Sequence, residues 1–267
     1  MLFRDRVSGP FLISYLRERK VRGSMKENKY DEERFFQKYS EMERSKKGLP
    51  GAGEWMALQK ILPDFQGKKV LDLGCGYGWH CKYAVENGAG YVVGTDISHK
   101  MLETARVKNS DEKIEYQCIA MEDLSFPAET FDIVFSSLAF HYVQHFEPLV
   151  ENISKWLKKG GEFVFSVEHP VFTAYGTQDW YYDKDGNILH FPVDNYYYEG
   201  KREAVFLGEP VTKYHRTLTT YLNTLLENGF ELQHIVEPQP PEDMMYLPGM
   251  KDEMRRPMML LISARKK

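Results

Sequence analysis

From about Gly67 onward, short apolar runs alternate with stretches of helical periodicity. Lys69 to Leu73 (KVLDL) predicts a buried strand that ends at glycines, and Trp79 to Asn87 predicts a helix that stops at Gly88. Tyr91 to Ile97 (YVVGTDI) predicts a second strand, and Ser98 is a suitable cap for a helix running to about Lys108. Ile114 to Ile119 predicts a third strand and Phe131 to Leu138 (FDIVFSSL) a fourth. A helix over about Phe146 to Lys158 is expected to close at Gly160-Gly161, before a fifth strand over Glu162 to Val167. Strands alternating with helices argue for a mostly parallel sheet with right-handed crossovers. The strands are nearly continuous apolar runs, as expected when helices cover both sheet faces.

Two further helices, Glu33 to Lys46 and Glu54 to Leu62, are expected ahead of this core, around a loop from Gly48 to Gly53. After the fifth strand the alternation breaks. Residues 170–214 are rich in aromatics, among them Phe172, Trp180, Tyr181 and Tyr196, and Asp185-Gly186 is a hairpin signal. This insertion reads as a lid over a substrate or as the surface of a homodimer. Helical periodicity returns at Leu218, Leu222, Leu225 and Leu226, with Gly229 as its stop. Two last strands follow, over Phe230 to Val236 and Met258 to Ser263. The expected division is a leader over 1–24, a helical cap over 25–66 and an α/β domain over 67–267 that carries the insertion at about 170–214.

A chain of 267 residues, 42% hydrophobic and 28% charged, suits one such domain with elaborations and needs no disulfide or metal staple. The net charge of −4, without long Lys/Arg runs, points away from nucleic acid. No apolar run approaches the roughly 20 residues that span a bilayer, so no membrane partner is expected. The three cysteines, Cys75, Cys81 and Cys118, match no zinc or redox spacing and suit a reducing, cytoplasmic compartment. Residues 1–24 are basic, and Gly23-Ser24-Met25 reads as a scar followed by a second start. An added leader or upstream start is expected there, with a basic amphipathic arm as the alternative.

The segment Asp72 to Gly78 (DLGCGYG) follows the first strand and opens a helix. Glycines there let the backbone turn tightly and approach a ligand without a Cβ clash. The spacing is G-x-G-x-G. A dinucleotide-binding G-x-G-x-x-G needs glycine where Trp79 stands, which disfavours a nicotinamide oxidoreductase. Asp96 closes the second run, where a carboxylate can take both ribose hydroxyls; the alternative is a negative charge favouring the next helix's N-terminus. Asp72 either serves the ligand or accepts N–H bonds from the glycine turn.

With VLDLGCGYG (70–78), GTDIS (94–98), AMEDLSF (120–126) and FDIVFSSLAFHYV (131–143) in order, the chain resembles the class I S-adenosylmethionine-dependent methyltransferases, specifically the methyltransferase type 11 group of small bacterial enzymes. The resemblance covers about Lys69 to Lys267. It implies an α/β, Rossmann-like sheet of seven strands, mostly parallel with the last antiparallel, and S-adenosyl-L-methionine as cofactor with S-adenosyl-L-homocysteine as product. Gly74, Gly76 and Gly78 would pass beneath the methionine and ribose, Asp96 would hold the ribose, and Ile97 would pack on the adenine. The N–H of Met121 and the carboxylate of Glu122 would read the adenine edge. Ala120 stands where many relatives carry Asp, which leaves that contact open between Glu122 and Asp123. Ser137 and Leu138 would face the sulfonium, and Asp72, Cys75 and Met101 complete the expected cofactor set.

A base is needed only if the acceptor must lose a proton. His141 and His169 are the catalytic candidates, each following a strand expected to open into the cleft; lining and loop hydrogen bonding are their alternatives. Tyr142, Glu168 and Trp180 are candidates to contact the acceptor. His215-Arg216 could hold a carboxylate or phosphate, or could simply anchor the next helix. His141, His145, Glu168 and His169 lack metal-ligand spacing, and no metal is expected. The expected activity is methyl transfer from S-adenosylmethionine to an apolar or aromatic small-molecule acceptor. The alternative is a non-catalytic cofactor-binding or partner-binding module on the same fold.

Overall fold

In the computed structural model, which describes Lys26 and residues 28–267, the apolar runs pair into one seven-stranded sheet. The leader expected over residues 1–24 lies outside the described residues. In chain order the strands are β1 (Lys69–Leu73), β2 (Tyr91–Asp96), β3 (Ile114–Cys118), β4 (Phe131–Ser137) and β5 (Leu157–Glu168). Two hairpins follow, β6 (Tyr181–Tyr182) with β7 (Ile188–His190) and β8 (Gly200–Phe206) with β9 (Glu209–His215), and then β10 (Phe230–Val236) and β11 (Met259–Lys266). The sheet order is β3-β2-β1-β4-β5-β11-β10, parallel except that β11 runs antiparallel to both neighbours. Strand order reverses between β1 and β4, which opens a crevice at their carboxyl ends.

The helices are α1 (Glu33–Ser40), α2 (Glu43–Lys47), α3 (Trp55–Leu58), α4 (Trp79–Glu86), α5 (His99–Lys108), α6 (Phe146–Trp156), α7 (Pro170–Thr173) and α8 (Leu218–Glu227). Successive strand residues point to opposite faces, and both faces are covered. Leu71, Val134, Phe163 and Phe165 pack against Leu149, Ile153, Tyr221 and Leu225 of α6 and α8. Val70, Val92 and Ile133 pack against Cys81, Ala84 and Leu102 of α4 and α5. Trp55 and Leu58 of α3 extend that second layer over Phe135, Val164 and Leu261. Burial on both sides explains why these strands read as continuous apolar runs. Among the described residues no helix is long and apolar enough to cross a membrane.

Several boundaries differ from expectation. The helix expected over Glu33 to Lys46 breaks at Met42, which is extended (φ −63°, ψ 148°). The break lets its two halves face different partners: Phe35 packs on Ala204 and Val211 of the second hairpin, while Arg44 turns to the cavity. Gly160-Gly161 do not close α6, because Leu157 is already extended and starts β5. The glycines instead fall where the pairing of β4 with β5 shifts register, and Gly160 takes a φ of +74° there. The Asp185-Gly186 hairpin forms as β6–β7, tied by the Asp183 carboxylate to the N–H groups of Asp185 and Asn187. The β8–β9 hairpin was not foreseen. Its turn, Leu207-Gly208, has both residues at positive φ (55° and 73°), a geometry usually signalled by Asn or Asp before the glycine.

Candidate active site

The glycine turn after β1 is locked onto the end of β2, since the N–H groups of Gly74 and Cys75 both donate to the Thr95 carbonyl, at 2.8 and 2.9 Å. Its three glycines do different things. A Cβ on Gly76 would project into open space, whereas one on Gly74 would meet the Ala139 Cβ at 2.6 Å and one on Gly78 would run into the Tyr116 hydroxyl. Gly74 and Gly76 line the cavity; Gly78, left-handed at φ +75°, starts α4 and allows it to pack on β3. Cys75 is buried behind the turn and does not line the cavity.

Asp96 faces the cavity from the end of β2. One carboxylate oxygen accepts the Gly76 N–H at 2.9 Å and the other the Ser98 N–H at 2.8 Å, so each keeps a lone pair for a ligand. Burial pushes this carboxyl up to about 6, with both N–H bonds and that of Ile97 pulling the other way. Capping of α5 falls to other groups. The Ser98 hydroxyl accepts the Met101 N–H at 3.1 Å, and Asp31 accepts the Ser98 hydroxyl at 2.6 Å and the Lys100 N–H at 3.1 Å. Asp72 lies deeper and does not line the cavity; the Cys81 thiol donates to it at 3.2 Å, and burial pushes it up to about 7. Asp72 accepts no N–H from the turn, whose N–H groups go to Thr95, Asp96 and Cys75.

Ile97, Met101, Met121 and Glu122 also line the cavity, the last two on a tight 3-10 turn after β3. Asp123 on the same turn forms an ion pair with Lys26, which leaves Glu122 to the cavity. Ser137 and Leu138 line it at the end of β4. Leu138 has a left-handed φ of 51°, held by its N–H to the Ser166 carbonyl at 2.9 Å, and such strain concentrates at functional sites.

Residues from the N-terminal cap complete this half, and none was foreseen. Tyr30, Tyr39 and Arg44 line the cavity, and Arg44 pairs with the buried Glu54. The Tyr30 hydroxyl lies 3.2 Å from that of Tyr142. Their signal was weak, because isolated tyrosines and an arginine in an amphipathic helix read as surface.

On the other side of the crevice, His141, Tyr142, Glu168 and Trp180 all line the cavity. His141 is only 3% exposed. Its Nδ1 accepts the Glu168 N–H at 3.5 Å, and burial pushes the imidazole down to about 4, against the pull of Glu168. The Glu168 carboxylate accepts Lys213 Nζ at 2.5 Å on one oxygen and the Gln178 amide at 2.6 Å on the other. Burial raises the Glu168 carboxyl, and His141 and Lys213 more than reverse this, holding it below its ordinary value.

Three expected acceptor-side residues do not reach the cavity. His169 caps α7, its Nδ1 accepting the Val171 N–H at 3.0 Å, and its Nε2 lies 2.8 Å from Glu237. His215 bridges Thr173 Oγ1 (2.7 Å) and the Tyr196 carbonyl (2.8 Å). Arg216 donates to the carbonyls of Phe140, Val143 and Gln144, and its guanidinium lies 5.3 Å from the Phe146 ring centroid. These donors are used on backbone oxygens, so Arg216 anchors the segment after β4 rather than an acceptor's anion. Among the described residues no cluster of His, Cys, Asp or Glu is placed to hold a metal ion.

The whole cavity has a volume of about 860 Å³, within the roughly 300–1,000 Å³ of small-molecule sites. Its roof is made by Trp180, Tyr182 and Ile188 of the insertion and by Met244, Leu247 and Met258 of the loop between β10 and β11. Arg256 ties the two together. It pairs with Glu253 at 2.8 and 3.0 Å and sits 4.5–5.0 Å from the ring centroids of Phe172, Trp180 and Phe191.

A methyltransferase domain family matches residues 71–165, β1 through most of β5. A solved structure of a Listeria monocytogenes protein, assigned as an S-adenosylmethionine dependent methyltransferase, is 53% identical, with a TM-score of 0.79 over 82% of this chain and 99% of that one. An S-adenosylmethionine dependent methyltransferase from Mesorhizobium loti is 42% identical, with a TM-score of 0.76 over 82% of this chain and 100% of that one. A ubiquinone biosynthesis O-methyltransferase of Neisseria meningitidis is 32% identical over 159 residues, covering 48% of this chain and 67% of that protein. The chain belongs to the class I S-adenosylmethionine-dependent methyltransferases. It is an enzyme, and S-adenosylmethionine is its cofactor. The residues present fit that group: a half-buried carboxylate with spare lone pairs at Asp96 and open space over Gly76.

Proposed function

We propose that this enzyme methylates a small molecule with an apolar body. The observation that carries this reading is the continuity of the cavity. One enclosure runs from Asp96 and Gly76 to a chamber roofed by aromatic and methionine side chains. A cavity of about 860 Å³ lined by aromatic and methionine side chains suits a compact apolar ligand. The Neisseria relative is a ubiquinone biosynthesis O-methyltransferase, and the likeness supports a small-molecule acceptor here. A cytoplasmic location and a lid role for residues 170–214 belong to the same reading. They are supported by three free cysteines and by the cavity-facing side chains of Trp180, Tyr182 and Ile188.

S-adenosylmethionine supplies an electrophilic methyl group when bound. In this reading Asp96 takes the ribose hydroxyls, Glu122 the adenine edge and Arg44 the methionine carboxylate, while Gly74 and Gly76 let the backbone approach. Ser137 and Leu138 bound the reacting centre. His141 is neutral near pH 7; its Nδ1 is occupied as an acceptor, so its Nε2 carries the proton and donates. That makes His141 a group that holds an acceptor oxygen, with proximity and alignment driving transfer.

The test is formation of S-adenosylhomocysteine when the enzyme and S-adenosylmethionine meet fractionated cell extract. Turnover is expected in the lipophilic small-molecule fraction. Turnover confined to RNA, DNA or protein fractions overturns the reading.

A further inference from the structure

Residues of the insertion and of the core meet at the cavity in a charged cluster, the Lys213–Glu168–Gln178 trio. Glu168 comes from the core, at the end of β5; Lys213 comes from β9 and Gln178 from the segment before β6, both in the insertion. Lys213 is 2% exposed, and its ammonium lies 2.5 Å from Glu168 Oε1 and 2.8 Å from Gln178 Oε1. Gln178 closes the ring with its amide on Glu168 Oε2, from a left-handed backbone at φ 60° that its side chain helps to hold. A buried ion pair carries a desolvation cost that apolar packing would avoid, and its best attested use is specificity rather than stability. Here both charged partners line the cavity beside His141.

The charges on this wall cancel. Lys213 is matched by Glu168, and Arg256 by Glu253. Among the described residues, a carboxylate or phosphate on the acceptor would find no cation on this wall without breaking one of these pairs, and an ammonium would have to displace Lys213 or, at Asp252, Arg255. Lone pairs on the Glu168 oxygens beyond those used by Lys213 and Gln178 can still accept from a neutral donor. We propose that the Lys213–Glu168–Gln178 trio selects an uncharged acceptor, Glu168 accepting a hydrogen bond from its hydroxyl or N–H and Lys213 acting as the positioning residue that keeps Glu168 balanced. This rests on the reading of the cavity as a small-molecule acceptor site.

The probes are cinnamyl alcohol, cinnamate and cinnamylamine, which share one apolar body and differ in charge. Dissociation constants are measured by ligand-observed NMR on enzyme loaded with S-adenosylhomocysteine. Wild type is expected to favour the alcohol by about tenfold or more over either charged probe. Lys213→Met leaves the carboxylate unbalanced and should shift preference toward cinnamylamine by a similar factor. Glu168→Gln leaves the ammonium unbalanced and should shift it toward cinnamate. A purely structural role would not produce opposite shifts from the two ends of one pair. If Lys213→Met does not fold, Glu168→Gln and the wild-type preference still decide. A charged probe bound by wild type as well as the alcohol, or unchanged preferences in variants that still bind S-adenosylhomocysteine, overturns the inference alone. Binding of none of the three by cofactor-loaded wild type overturns the small-molecule reading with it.

Discussion

The two halves of the cavity are built in opposite ways. The cofactor half rests on strand ends that are close in sequence: Asp96 bonds to Gly76 only 20 residues back and to Ser98 two residues on. The acceptor half is assembled from distant parts, with Glu168 and Lys213 45 residues apart and Tyr30 and Tyr142 112 apart. Local construction puts the glycine turn and Asp96 on the sheet itself, and the N-terminal cap adds Tyr39 and Arg44 to that side. The acceptor half exists only after the insertion, the late loop and the N-terminal cap have docked. A fixed ligand is thus met by a fixed frame, and a variable one by docked additions.

If that division is real, changes in one half should leave the other's ligand untouched. Asp96→Ala should show the largest effect. Losing charge-assisted hydrogen bonds of about 1.5–3 kcal/mol each should weaken S-adenosylhomocysteine binding roughly 10–100-fold or more, as read by calorimetry. Unchanged affinity would return Asp96 to a purely local role in its turn.

Acidity should act in the same place. With its carboxyl at about 6, Asp96 is mostly ionised at neutral pH and protonated below that value. Only the carboxylate can accept from two ribose hydroxyls, so affinity should fall as pH drops through about 6, approaching tenfold per unit. Asp96→Asn should flatten this slope; a slope that survives belongs to another group.

His141→Ala should act on the acceptor alone. Cofactor affinity should stay within about twofold, while the acceptor's KM rises roughly 3–10-fold, the worth of one neutral hydrogen bond. A loss of about 10²–10⁴ in kcat would instead make His141 a base. His169→Ala should leave turnover intact and cost about 0.5–2 kcal/mol of stability through the lost cap, measured as a drop in Tm. A His169 variant that folds normally but does not turn over would place that side chain at the chemistry after all.

The same division explains what the sequence revealed. The sheet and the cavity-lining Gly74, Gly76 and Asp96 were legible because glycine spacing, strand-end acids and continuous apolar runs are short-range signals. The acceptor wall was legible only where it too follows a strand, at His141, Tyr142 and Glu168. Lys213 was missed because it shares the inward face of β9 with Val211 and His215, and an inward lysine reads as an outward one until its partner is known. His215 and Arg216 drew attention as charged neighbours, yet their partners are a threonine hydroxyl and backbone carbonyls, which carry no sequence signal. His169 likewise follows a strand, but Pro170 turns the chain into α7 and directs the imidazole to its cap.

Phe35, 1% exposed, seats the first helix of the cap against Ala204, Val211 and Phe206 of the second hairpin. The N-terminal cap and the insertion are therefore packed together as one piece. If that piece opens as a unit, the spent cofactor and the methylated product should leave through the same opening, and the frequency of that opening should set the ceiling on turnover. The kinetic signature is a single rate for release of both products in stopped-flow; two unequal rates would mean that the panels part separately.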